Sequence, residues 1–527
     1  MKGIIATGNK RTAAIGAEIL AAGGNAADAV IAASFAACVA EMVVANIGGA
    51  GFATVVDSHD GTRDARCYDF FSSMPSRPTS EDADFRCIHA DFGSETQAFH
   101  IGRASTALPG LVAGLCRLAH EKGRLPLARL IEPAIQLAES GYEIDAFGAL
   151  VLKVLRPIYE DTPEIRALVQ KGGASVQVGD PIRLPHLAAS LREIGETEGE
   201  SFYRGRLAAA IAADQHQHGG LITAEDLAGY TVAVQPPIAV PFRDFTVMLP
   251  PLASVGGVLV AFSLRLLAAV PAPTRFGDAG YLRTLTLVSA LTNRARHAWG
   301  RRKDDGDQER IAWFLSDAHV KPAIEELRAI LAGERRLGED PVSPKGAPNT
   351  THLSAMDADG MAVSLTFSAG EAAGYVVGDT GLVLNNMLGE EDLNPGGFHQ
   401  QKPGTRLHSM MCPLVVLKDG KPVFAGGSAG SNRIRSAILQ TLINALDLGL
   451  PLDAVINLPR GHFEDGVLHV EPGFDAAAIE TMRAEGFQVK EWPEQNLYFG
   501  GAQAVCLRGD DFDGAGDQRR TGTVCKV

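Results

Sequence analysis

The sequence predicts a layered α+β sandwich. Two observations carry the prediction. From Thr350 onward, apolar and polar residues alternate in short runs that pair with their sequence neighbours: THLSAM with MAVSLTF around Asp357-Ala-Asp-Gly360, and CPLVVL with PVFAGG around Lys418-Asp419-Gly420. Runs of that kind flanking an Asp/Gly turn read as hairpins. Residues 104–235, by contrast, are mostly helical in pattern. Strands that pair in sequence, with helices gathered outside them, argue against a doubly wound parallel sheet.

Taken in order, GIIATG starts a short strand, and TAAIGAEILAAGG is an Ala-rich helix stopped by Gly23-Gly24. Asn25 caps a second helix, 26–44. Gly48, Gly49 and Gly51 precede a strand, FATVVD. Residues 61–100, rich in Ser, Asp and Pro, read as irregular. In GGLITAEDLAGY, Thr223 and Asp226 have capping-box spacing. Residues 238–250 read as one strand, and PPLASVGG opens another helical run. The polar stretch 296–349 ends in a flexible linker, 335–349, before the hairpins. A helix over 432–448 and further strands complete the chain. There is no internal repeat.

The chain has 527 residues, enough for a large buried core. Its net charge of −14 lacks the footprint of a nucleic-acid or anionic-membrane binder. The most apolar run, AVIAASFAACVAEMVVA (29–45), carries Glu41 and is flanked by Asp28 and Asn46, so it reads as a buried helix rather than a membrane span. Seven scattered cysteines without C-x-x-C suit neither a disulfide framework nor a zinc knuckle. With no secretory signal in MKGIIATGNKRTAA, they point to a reducing, cytoplasmic setting.

Four constellations bear on chemistry. The glycines at 48–51 follow a helix and enter a strand, the reverse of a phosphate loop, so close backbone packing explains them better. His216 and His218 lack a nearby carboxylate or Cys cluster and read as solvent-facing, so no metal or other cofactor is expected. Gly426-Gly-Ser428-Ala-Gly430 matches G-x-S-x-G after a strand and before a helix. A serine hydrolase would then need Asp453 or Asp465 with His462 or His469. The alternative is that backbone N–H groups of this Gly/Ser loop, at a helix N-terminus, form an oxyanion hole without the Ser428 hydroxyl. Finally, Asn349-Thr350-Thr351-His352 joins the polar linker to a strand. If the 349–350 bond is cut, Thr350 carries a hydroxyl nucleophile and an α-amine whose unperturbed pKa is about 7.7–8.0, suited to act as base.

Ten collinear stretches then add a resemblance: GGNAADAVIAA, NIGGAGF, ALPGLVAG, FYRGRLA, GGLITAEDLAGY, PPLASVGG, TTHLSAMDADGMAVSLTFS, GLVLNNM, GGSAGSNRI and GAGDQRRTG. In order and spacing the chain resembles the γ-glutamyltransferase (γ-glutamyltranspeptidase) family of N-terminal nucleophile (Ntn) hydrolases over nearly its whole length. The resemblance implies a four-layer αββα sandwich and a zymogen that cleaves itself between Asn349 and Thr350. It implies a large chain, 1–349, and a small chain, 350–527, remaining together as a heterodimer and acting in glutathione metabolism or on related amides. The partners it implies are a small-molecule amide and water or an amine as acceptor.

By position, the resemblance makes Thr350 the nucleophile, Ser368 the hydroxyl that hydrogen-bonds it, and Gly430 and Ser431 the oxyanion amides. The substrate clamp matches less well. The family's carboxylate-binding Arg aligns with Ser80, with Arg77 nearby, and its Ser pair reads Ser409-Met410. The positions holding the α-amine read Gly370, Met387 and Glu390, with Glu391 or Asp392 as alternative acids. Each lost charge-assisted hydrogen bond costs about 1.5–3 kcal/mol. Weak action on glutathione follows, with substrates lacking one of the two charges, such as glutaryl amides, relatively favoured. An acylase with a non-glutamyl substrate, a Ser428 hydrolase and a catalytically silent family member stand as alternatives.

Overall fold

A computed structural model describes residues 2–59, 62–91, 96–300, 302, 306–338 and 349–527. Two large sheets dominate its mixed α/β architecture. The first has seven strands in the order 233–235, 64–70, 50–57, 361–368, 351–357, 3–7 and 523–526; the second has six, in the order 238–242, 245–249, 414–418, 421–429, 501–508 and 511–516. All pairings within both are antiparallel.

The sheets face each other. The strands Thr351–Asp357 and Met361–Ser368 pack on Lys421–Ala429, and Ser364 Oγ crosses to donate to the Gly426 carbonyl at 2.9 Å. Helices Lys10–Ala21 and Ala26–Ala40 cover the first sheet, and Val255–Ala268 and Arg433–Leu442 cover the second.

The expected hairpins form: Thr351–Asp357 with Met361–Ser368, and Leu414–Lys418 with Lys421–Ala429. The expected capping box is present, and the Asn25 cap proves to be a second one. Asn25 and Asp28 exchange side-chain and backbone bonds, as do Thr223 and Asp226. The apolar helix Ala26–Ala40 is buried on every side, and among the described residues no helix is long and apolar enough to cross a membrane. The glycines before strand Ala50–Asp57 serve close packing: a Cβ on Gly49 would stand 2.5 Å from the Ser368 carbonyl, and one on Gly51 2.2 Å from that of Thr366.

Four expectations need correction. The helix expected over 26–44 ends at Ala40, because Glu41 leaves helical geometry and turns inward. Residues 61–100 are not irregular. They hold the strand Asp64–Phe70, whose partner lies in 50–57, and a hairpin of Arg86–Asp91 with Thr96–Ile101. Residues 238–250 form two strands, not one, turning at Arg243 with φ +54°. The helix after Asn432 stops at Leu442 and continues as a single π turn, Ile443–Asp447. Most of the expected linker, 339–348, lies outside the described residues.

Candidate functional site

Strand register builds the centre of the site. Thr351 faces Phe367 across the first hairpin, so the next pair outward, Thr350 and Ser368, lies side by side at the strand ends. Asn349, Thr350 and Ser368 are all buried. The Asn349 carbonyl accepts two hydrogen bonds, from Thr350 Oγ1 at 2.7 Å and from Ser368 Oγ at 2.6 Å. The Ser368 hydroxyl also accepts the Gly370 N–H at 2.9 Å. The carbonyl of the expected scissile bond is thereby polarised by the hydroxyl expected to attack it and by a second that aligns it.

These residues open onto a small pocket. Met387, Glu390, Ser409, Met410 and Ser431 line it with them. Phe71, Asp392, Leu393, Met411 and Ile434 complete its wall. Gly430 precedes Ser431 in a left-handed turn, with φ +119° and +50°. Among the described residues, neither of these two N–H groups has an acceptor.

Arg77 and Ser80 do not line the pocket. The Arg77 guanidinium donates to the Gly220 carbonyl at 3.1 Å, and Ser80 is exposed. Among the described residues, no Lys or Arg is in the lining. Gly370 contributes by what it lacks: a Cβ there would stand 2.1 Å from Glu390 Oε1 and 2.1 Å from Asn386 Oδ1. Its small size therefore leaves room for the Glu390 carboxyl.

The Ser428 triad is not assembled. Ser428 is fully buried in an antiparallel strand, paired with Ala502, and its hydroxyl donates to the Ala429 carbonyl at 2.9 Å. His462 instead bonds Ser436 and Glu464, and His469 accepts the Trp492 indole N–H. His216 and His218 are exposed at a helix end rather than on a loop, and among the described residues no cluster of three metal-ligating side chains exists.

Two charged features escaped the sequence reading in whole or in part. Glu371 is buried with both carboxylate oxygens unpartnered, beside Glu390 and Asp392, each with one unpartnered oxygen. Burial first, and the neighbouring carboxylates second, hold the Glu371 and Glu390 carboxyls well above the usual range. Burial also raises Asp392. A lone acid in the apolar stretch SAGEAAGYVV was the available signal. On the other side of Thr350, a second small cavity meets Glu41, Gln503 and Arg520. Glu41 accepts the Thr351 hydroxyl at 2.7 Å, and Arg520 Nη1 donates to the Thr350 carbonyl at 3.2 Å. Burial pushes Glu41 up to about 7 and Arg520 down to about 10.

Comparison with known proteins places this geometry. A family model described as gamma-glutamyltranspeptidase matches residues 12–527. The glutathione hydrolase proenzyme of Escherichia coli (strain K12) is 28% identical over 93% of this chain and 86% of its own length. The acylase ACY 1 proenzyme of Pseudomonas sp. (strain V22) is 30% identical over 100% and 94%. Among solved structures, cephalosporin acylase from Bacillus halodurans superposes with a TM-score of 0.82 at 25% identity, covering 99% of this chain and 95% of that one.

The Glu41 environment generates a prediction about pH. A carboxyl held near 7 in the fold, against 4.5 ordinarily, binds its proton more tightly folded than unfolded. Its stabilising contribution is present below about 4.5 and is lost as pH rises through about 7. In the uncleaved Thr350→Ala background, Glu41→Gln should therefore make the thermal midpoint fall less between pH 5 and pH 8. The difference corresponds to about 3 kcal/mol at most, at 1.36 kcal/mol per unit. Parallel pH profiles for the two proteins would show that Glu41 does not titrate in this window.

Proposed function

The chain belongs to the gamma-glutamyltranspeptidase family, and from that premise we propose that it is a self-processing N-terminal Thr amidohydrolase and acyltransferase. The single observation that carries the reading is the Asn349 carbonyl, accepting both the Thr350 and the Ser368 hydroxyls. In processing, Thr350 Oγ1 attacks that carbonyl carbon. The C–N bond breaks, the hydroxyl proton passes to the departing nitrogen, and an ester links Asn349 to Thr350. Water then hydrolyses the ester, leaving an Asn349 carboxylate and a free Thr350 α-amine.

Turnover repeats the chemistry with a substrate amide. The α-amine takes the Thr350 hydroxyl proton and delivers it to the leaving amine, and water or an acceptor amine resolves the acyl-enzyme. The Gly430 and Ser431 N–H groups receive the oxyanion, and Ser368 aligns the nucleophile. The products of cleavage, 1–349 and 350–527, stay together because strands 351–357 and 361–368 of the small chain lie between strands 3–7 and 50–57 of the large one. The facing sheets and their outer helices support the four-layer αββα order.

The relatives divide between proteins named glutathione hydrolase and proteins named acylase. The pocket favours an acyl group that lacks the α-carboxylate of a γ-glutamyl unit. Carboxyls and methionine thioethers line it and, among the described residues, no basic side chain does, and a buried carboxylate with no cation is costly. Of the two charges in that unit, the ammonium has a partner here in Glu390. This keeps the expectation that substrates lacking one of the two charges are favoured, with the carboxylate rather than the amine as the charge to be absent.

Processing should convert the 55.6 kDa chain into bands of about 37 and 19 kDa, in proportion to 349 of 527 residues. The smaller band should begin Thr-Thr-His on N-terminal sequencing. Thr350→Ala should leave an intact, inactive chain; efficient cleavage of that variant at the same bond would assign the cut to an outside protease.

Specificity is tested with three anilides of one leaving group: γ-glutamyl, glutaryl and 4-aminobutanoyl. The 4-aminobutanoyl compound should exceed glutaryl by about 10-fold or more in kcat/KM, equivalent to about 1.4 kcal/mol. A glutaryl preference would overturn the charge argument while leaving the Thr350 chemistry in place.

A further inference from the structure

Ser431 holds a conformation its residue type disfavours. Its φ of +50° lies in the left-handed region, where a side chain with a Cβ is under strain of about 1–2 kcal/mol and Gly is not. No glycine relieves it. Instead the Ser431 hydroxyl reaches across the pocket and donates to Asp392 Oδ2 at 2.8 Å.

The platform behind Asp392 is braced. Asn394 Nδ2 donates to the carbonyls of Met387 at 2.9 Å and Glu390 at 2.8 Å, closing the segment 387–394 on itself. On the other side of the same turn, Arg296 Nη1 donates to Asn432 Oδ1 at 3.1 Å. Asp392 also lies in the field of Arg296 and Arg433, which favours its ionised form against burial. The turn carrying the two unaccepted N–H groups is thus held from both sides, and Asp392 is the only one of these supports that also lines the acyl pocket.

We propose that Asp392 is a positioning residue for the oxyanion donors, holding Ser431 in its left-handed conformation through the Ser431 hydroxyl so that the 430–431 amides are set before the reaction. The proposal rests on the Thr350 reading above. It adds that an acid in the pocket wall acts on kcat through the loop it braces, not through contact with the acyl group.

The test is a mutant cycle read on two reactions, self-cleavage of newly translated chain and turnover of a γ-glutamyl anilide. Asp392→Asn leaves only a weaker, neutral acceptor for that bond, and Ser431→Ala removes its donor. Each should slow both reactions by about 10- to 100-fold, short of the 10²–10³-fold cost of removing an oxyanion donor outright. KM should change by less than about 3-fold. The double variant should be no slower than the slower single one. In the Ser431→Gly background, where left-handed backbone needs no support, Asp392→Asn should cost less than about 3-fold.

Multiplying losses in the double variant, an equal loss in the Ser431→Gly background, or a rise in KM with kcat unchanged would each overturn the proposal. The last would make Asp392 a substrate contact. Should Asp392→Asn fail to fold, Ser431→Ala with its KM and kcat alone decides the matter. Failure of the wild-type chain to cleave itself would instead strike at the Thr350 reading, so the two failures are separable.

Discussion

The carbonyl of Asn349, held between two hydroxyls, sets the requirement that the surrounding fold meets. Thr350 and Ser368 come from opposite strands of one hairpin, and they meet only because Thr351 pairs with Phe367. A slip of one residue would bring Phe367 beside Thr350 and turn the alternate side chains to the wrong faces. The hairpin is locked against that slip at its turn, where Asp357 accepts the N–H groups of Asp359 and Met361 through Oδ1 and that of Ala26 through Oδ2. It is locked at its other end by Gly49 and Gly51, which let strand 50–57 close on the Ser368 end without a Cβ in the way. The same strand register that closes the core therefore aligns the reacting atoms.

Around that fixed centre, side-chain volumes shape the pocket. Gly370 leaves space that the Glu390 carboxyl occupies, and Met387 and Met410 supply flexible apolar walls. The result gathers Glu371, Glu390 and Asp392 within mutual influence, each raised by burial and the first two also by one another or by Asp392. Such a cluster is unfavourable unless a cation or a proton relieves it. The Thr350 centre and the pocket wall are thus governed separately: the first by backbone register, the second by packing and charge on the segments 368–371, 387–394 and 409–411.

Much of this was legible before any coordinates, for identifiable reasons. Hairpins closing at Asp/Gly turns, the cap at Asn25, the capping box at Thr223 and the buried character of 26–40 are local effects, encoded within a few residues. Thr350 was legible as a hydroxyl where a polar linker meets a strand, and Ser368 only through the family resemblance; the register that brings the two together is a property of the folded hairpin. What failed was non-local. The strand 64–70 is stabilised by pairing with 50–57, and its own composition of charged residues hides it. Arg77 was a reasonable candidate by sequence proximity, but nothing in the sequence says that its guanidinium turns to the Gly220 carbonyl. The Ser428 motif was matched in letters and lacks the strand context that would expose the hydroxyl. Asp392 stood only as an alternative acid, since its bond to Ser431 joins segments 39 residues apart.

The central claim is that the Thr350 hydroxyl attacks the Asn349 carbonyl, and the ester it forms can be intercepted. Hydroxylamine added to freshly folded chain cleaves esters faster than amides. The large fragment should then end in a hydroxamate at Asn349, detected by the mass of its C-terminal peptide, and the fraction so modified should rise with hydroxylamine concentration. A large fragment ending only in the Asn349 carboxylate, with a cleavage rate indifferent to hydroxylamine, would contradict the account: no ester would lie on the path, and the hydrogen bonds around that carbonyl would have another purpose.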